Sequence, residues 1–183
     1  AAFLLCAAGA GLAVLSFAST PSSGTLTTTS GPITYTAGPF TQPNQSPVGL
    51  GQLDTGPRCD GSLFPCDTFA LTVNIPAGYT TTYPNAAVKV TMSWTDAGTG
   101  QSDYDLYVYK GSVTTLNGNT PAAYQSANGA NPEIASIGPL TDGTSTFTVI
   151  LVPFTPTGET VNVSIELVPG VTGTAGFPGF GGS

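Results

Sequence analysis

An all-β fold, an antiparallel β-sandwich, is predicted by three features of the sequence. The first is Val88–Tyr109, VKVTMSWTDAGTGQSDYDLYVY, in which two alternating apolar and polar stretches flank a polar, glycine-bearing connection. The second is the return of the same period of two at Thr68–Ile75, Thr146–Val152 and Thr160–Val168. The third is the absence of a convincing helical period from Ser19 onward, with Pro, Gly and Asn-Gly punctuation between the stretches. Outside this β region lie an apolar N-terminal segment without β character and a glycine-rich C-terminal tail.

In Val88–Trp94, the side chains Val88, Val90, Met92 and Trp94 alternate with Lys89, Thr91 and Ser93. In Asp103–Tyr109, Tyr104, Leu106 and Val108 alternate with Asp103, Asp105, Tyr107 and Tyr109. Each strand therefore has one apolar side, and two such strands need a second layer to bury it. The remaining strands supply that layer. Thr68–Ile75 puts Phe69, Leu71, Val73 and Ile75 on one face and stops at Pro76-Ala77-Gly78. Thr146–Val152 turns Phe147, Val149 and Leu151 inward and is stopped by Pro153. Thr160–Val168 turns Val161, Val163, Ile165 and Leu167 inward and Asn162, Ser164 and Glu166 outward. Glu133–Ile137 is a short strand, and Lys110–Asn131 is a polar excursion with turns at Asn117-Gly118 and Asn128-Gly129.

The domain divisions follow from composition. Residues 1–18, AAFLLCAAGAGLAVLSFA, are uncharged and apolar. Two readings stand side by side: a secretory signal peptide, cut between Ala18 and Ser19 after the small residues Ser16 and Ala18, or a retained hydrophobic helix. Residues 19–37 read as a Ser/Thr-rich tether, with Ile33–Thr36 as an edge strand within it. Residues 38–168 are the sandwich domain, opening with a loop-like, proline-rich stretch up to Pro65. Residues 169–183 are a glycine-rich linker or tail.

Charge narrows the function. Only 7% of residues are charged and the net charge is −7, with Arg58, Lys89 and Lys110 the only cations. Nucleic acid and anionic membrane surfaces both require clustered Lys and Arg, so neither is a partner of the mature domain unless residues 1–18 stay attached and reach a membrane. The chain has no histidine, which removes Ser-His-Asp and Cys-His nucleophilic schemes and speaks against an enzyme. Cys59 and Cys66 are spaced C-x6-C. Two thiols without histidine fall short of zinc's four ligands, so they read as a disulfide of an exported protein. The address that follows is secreted, either extracellular or at the cell surface.

The stretches CDTFALTVNIPAGY, KVTMSWTD, DYDLYVY, TFTVILVPF and VNVSIEL together resemble the bacterial pre-peptidase C-terminal module, over about Asp67–Leu167. The D-x-D-L-Y-V-Y run from Asp103 to Tyr109 is the most specific match. That resemblance implies a secreted, jelly-roll-like sandwich with an accessory, non-catalytic role beside a catalytic domain. It also implies that calcium or an insoluble polymer is a ligand class to consider.

Three constellations carry chemistry. Asp96, Asp103 and Asp105 form the densest carboxylate cluster, and calcium, a hard cation served by oxygen, would relieve the repulsion between Asp103 and Asp105. The bland alternative has Asp103 bonding to backbone amides at the connection and Asp105 solvated. A two-carboxylate hydrolase lacks a second acid placed by the sequence. Tyr107 and Tyr109 extend the outward row beyond Asp105, where they form a binding face for sugars or protein, or lie under a loop. Trp94 shares its face with Val88, Val90 and Met92 and belongs to the core. These features predict an accessory module for adhesion or for positioning a partner domain or extracellular polymer. The alternative is a filament subunit that assembles with like subunits through its N-terminal segment.

Overall fold

A computed structural model describes residues 19–46, 55–61, 63–96 and 102–170. The strands among them are β1 (Ser23–Thr27), β2 (Ile33–Ala37), β3 (Arg58–Cys59), β4 (Asp67–Ile75), β5 (Ala87–Trp94), β6 (Asp103–Lys110), β7 (Leu116–Asn117), β8 (Tyr124–Ser126), β9 (Glu133–Ile137), β10 (Gly143–Thr155) and β11 (Val161–Val168). A five-stranded sheet of order β1-β4-β10-β6-β8 packs on a four-stranded sheet of order β2-β11-β5-β9, and β3 pairs with β7 in a small outer ribbon. The all-β sandwich read from the alternation is the architecture found. A single helical turn, α1 (Tyr79–Thr82), follows Gly78, which takes φ 82° at the end of β4. Asp142 fixes this turn by accepting from the Gly78 and Thr80 amides at 2.5 and 3.0 Å.

β5 and β6 are not neighbours in one sheet. β5 pairs with β11 and β9, whereas β6 pairs with β10 and β8 in the opposite sheet. They lie in opposite layers, so their apolar faces meet instead of lying side by side. Trp94 of β5 thus packs on Tyr104 of β6, with ring centroids 4.9 Å apart. Phe69 of β4 stacks on Tyr35 of β2 at 4.3 Å, another contact across the two layers. Val88, Val90, Met92, Leu106, Val108 and Val149 lie between them, each without measurable exposure. Each such side chain contributes roughly 1.5–3 kcal/mol by leaving water.

The stretch read as a Ser/Thr tether is built into the sandwich. β1 pairs in parallel with β4, Ser23 opposite Ala70 through Thr27 opposite Asn74, and β2 pairs antiparallel with β11. One or two apolar anchors per strand suffice. Leu26 on β1 and Tyr35 and Ala37 on β2 are buried, while Ser23, Thr25, Thr34 and Thr36 face water. The sandwich therefore includes β1 and β2, which precede Gly38, and the expected edge strand at Ile33–Thr36 is real.

β10 also runs past its expected stop. Pro153 lies inside it, where the register against β6 slips between Val152 and Thr155. The irregularity accommodates a residue with no amide hydrogen, and the Pro153 carbonyl accepts from the Asn44 amide at 2.8 Å.

Candidate functional site

The outer face of the five-stranded sheet differs from the outward row expected for β6. Tyr107 and Tyr109 are each only 3% exposed, so they do not form an open aromatic platform. They lie in a second apolar cluster with Leu116, Ile150 and Val152, backed by Cys59, Cys66, Val113 and Ala122. The cover is made by the proline-rich segment and by the excursion after β6. Gly56 approaches so closely that a Cβ there would clash with the Thr120 carbonyl and meet the Tyr109 hydroxyl at 2.8 Å. The Tyr109 hydroxyl donates to the Thr120 carbonyl at 3.1 Å. Tyr104–Tyr109 of β6 and Phe147–Pro153 of β10 are thus buried on both faces.

Cys59 and Cys66 are joined, with Cα atoms 5.6 Å apart, as the sequence suggested. Asn44, fully buried, pins the same loop. Its Nδ2 donates to the carbonyls of Arg58 at 2.8 Å and Pro65 at 3.0 Å. Its Oδ1 accepts from the Ser46 hydroxyl at 2.7 Å, and that hydroxyl accepts from the Arg58 amide at 2.9 Å. No motif in the sequence marks Asn44 or Ser46. Replacing both cysteines by alanine is expected to lower the unfolding free energy by about 2–3 kcal/mol, read by urea denaturation. The same variant should speed amide exchange at Tyr107 and Tyr109. Unchanged exchange there would mean that the staple does not hold the cover.

Beside the disulfide the cover leaves an open groove of about 680 Å³. Arg58, Asp60, Phe64, Thr68, Thr114 and Asn117 line it, with the cystine in its wall. The Arg58 guanidinium lies 5.7 Å from the centre of the Phe64 ring. Asp60 Oδ1 accepts from the Leu63 and Phe64 amides at 2.8 and 2.9 Å and so sets the turn that presents Phe64. Leu63 beside it is 69% exposed. Guanidinium, amide, hydroxyls and an aromatic ring suit a neutral polar ligand such as a sugar or an extended peptide.

The carboxylates at the other end of β6 are arranged differently from the expected trio. Among the described residues no three His, Cys, Asp or Glu side chains converge so as to hold a metal ion, so Asp96, Asp103 and Asp105 do not make a three-carboxylate calcium cage. Nor is Asp105 solvated: it is 7% exposed and accepts from the Tyr107 hydroxyl at 3.4 Å. Burial, and then the fields of Asp103 and Glu133, push its carboxyl up to about 7. Burial raises Asp103 as well. Glu133, at the start of β9, is fully buried. Burial raises it against hydrogen bonds from Ser126, Asn128 and Ala130, and its Oε2 has no partner. The sequence signal for Glu133 was its phase, since alternation places it inward with Ala135 and Ile137.

A further buried acid, Glu159, anchors the core. It accepts from Ser102, Thr157 and the Tyr104 hydroxyl, the last at 2.8 Å. Burial alone would raise its carboxyl, but these bonds outweigh it and hold the group at about 2.

Compared with known proteins, the chain matches no family model, and no curated relative matches its sequence. Among the described residues, no helix is long and apolar enough to cross a membrane.

Proposed function

We propose that this chain is a secreted, non-catalytic accessory module that works in adhesion or in positioning a partner domain or an extracellular polymer. The observation that carries the reading is the disulfide-stapled cover and the groove it frames beside Phe64, Arg58 and Asn117. A rigid cover that spends a cystine and a buried asparagine on loop geometry is suited to presenting a fixed binding edge. The resemblance of Asp67–Leu167 to pre-peptidase C-terminal modules, read from the sequence alone, points the same way. The test is co-sedimentation of the protein with insoluble cellulose, chitin and peptidoglycan, alongside Phe64→Ala. Retention on one of them, weakened about tenfold by Phe64→Ala, is the expected result. Retention on none, or retention indifferent to Phe64, would overturn the groove as a polymer site.

A second reading, a filament subunit joined through the N-terminal segment, draws on one specific observation. β1 closes one edge of the five-stranded sheet and presents Ser23 and Thr25 to solvent, an edge on which a strand from a like subunit could add. Concentration-dependent polymers in electron micrographs would support it, and a monomer at all concentrations would dispose of it.

A further inference from the structure

Ser19 and Asp67 meet in a setting that ordinary backbone chemistry leaves incomplete. Ser19 is 4% exposed and Asp67 1%. The Ser19 nitrogen lies 2.6 Å from Asp67 Oδ1, and the Ser19 hydroxyl donates to the Thr68 carbonyl at 3.2 Å. Asp67 Oδ2 is buried with no hydrogen-bond partner, and so is the Tyr35 hydroxyl, which lies close enough to feel the charge of Asp67. The chain's cations are placed elsewhere: Lys89 pairs with Glu166, Lys110 lies over the Tyr124 ring, and Arg58 lies over Phe64. A carboxylate taken out of water is strongly disfavoured unless a counter-charge meets it. An amide nitrogen at Ser19 offers one hydrogen and no charge. An α-ammonium at the same nitrogen offers three hydrogens and a full positive charge, which suits the Asp67 carboxylate whose Oδ2 is left without a partner.

We propose that the chain is cut between Ala18 and Ser19, and that the buried Asp67 carboxylate receives the new α-ammonium of Ser19 as an internal ion pair. The reaction is hydrolysis by an endopeptidase that reads small residues before the cut, here Ser16 and Ala18. Water adds across the amide: its oxygen goes to the Ala18 carbonyl, which leaves as a carboxylate, and the Ser19 nitrogen is protonated. Cleavage precedes closure of the sandwich, because Ser19 is inaccessible once β1 has docked and Thr20 has bridged to Thr36. The pair then ties the first residue of the mature chain to the first residue of β4. In a chain still carrying residues 1–18, Asp67 lacks that partner, and burial, against bonds from Ser19 and Thr68, raises its carboxyl to about 6. The proposal stands on the Ser19–Asp67 geometry and is independent of what the groove binds.

The experiment takes protein isolated from the cells that make it, determines its N terminus, and follows acylation of its amines at neutral pH by mass spectrometry. Lys89 and Lys110 are the only side-chain amines and serve as internal references. The expected result is a chain beginning at Ser19 whose α-amine reacts at least about tenfold more slowly in the folded protein than in denaturant, as a pKa raised by one unit would produce. Asp67→Asn should abolish that protection and lower the melting temperature. A first residue other than Ser19 would overturn the proposal, as would a Ser19 amine equally reactive in the folded and denatured wild-type chains. The wild-type comparison decides even if Asp67→Asn does not fold, and polymer retention by the same preparation tests the groove separately.

Discussion

Phe69→Ala is expected to lower the unfolding free energy by about 3–5 kcal/mol, the range for emptying an aromatic side chain from a closed core. Phe69 has no exposure, and its ring stacks on Tyr35 with an interplanar angle of 1°. The contact joins β4 of one sheet to β2 of the other. It also backs β1, because a Cβ on Gly24 would lie 3.1 Å from the tip of the ring. Removing the ring therefore opens a cavity where three strands meet. Collapse cannot fill it easily, since Leu26, Leu71 and Val163 around the same core are already packed and paired in register. A second effect distinguishes this site from any other core position: amide exchange in Ser23–Thr27 should accelerate more than in β11. Chemical denaturation and hydrogen exchange together make the measurement. A loss under about 1 kcal/mol would mean that the N-terminal strands do not depend on this ring.

The same contact shows why the N-terminal arm was illegible as structure. Composition assigns Ser19–Ser30 to solvent, because Ser and Thr dominate it and Leu26 is its one large apolar residue. A strand at a sheet edge needs only one buried anchor, and its pairing is backbone to backbone, so composition carries almost no trace of it. The alternating strands were legible for the opposite reason: each presents several large apolar side chains at period two, and burying them fixes the face uniquely. What alternation could not supply was partnership. Nothing local to VKVTMSW and DYDLYVY tells a hairpin from two strands facing each other across a core, and only their pairing with other strands decides it. The cystine was legible from spacing and from the lack of other metal ligands. Its consequence was not, because the cover over Tyr107 and Tyr109 is held by Asn44, Ser46 and Gly56, residues that look like ordinary loop. A purely outward face for Asp105 assumed water on that side, whereas in the fold it is a buried acid beside Asp103, Glu133 and the Tyr107 hydroxyl.

That burial sets the direction of the pH response. Asp105 is surrounded by Asp103, Glu133 and the Tyr107 hydroxyl, and only the hydroxyl favours its charge. Its folded carboxyl titrates at about 7, against an ordinary value of 3.8. Stability from the neutral form is complete below the ordinary value and is lost as pH rises through about 7. Glu159 acts in the opposite sense: its folded value of about 2 gives stability that is present above the usual range and lost only as pH falls towards that value. The protein should therefore be more stable near pH 5 than near pH 8, with ionisation of Asp105 costing on the order of 4 kcal/mol at the alkaline end. Asp105→Asn keeps an acceptor for Tyr107 and removes the charge. It is expected to raise the melting temperature at pH 8 by several degrees, to change it little at pH 4, and to flatten the profile between. Melting curves across that range on both proteins make the comparison. A wild-type profile that rises from pH 5 to pH 8, or an Asn variant that gains nothing at pH 8, would show that the ionised carboxylate is stabilised in place. Water would then have to reach the Asp105 carboxylate in the folded protein.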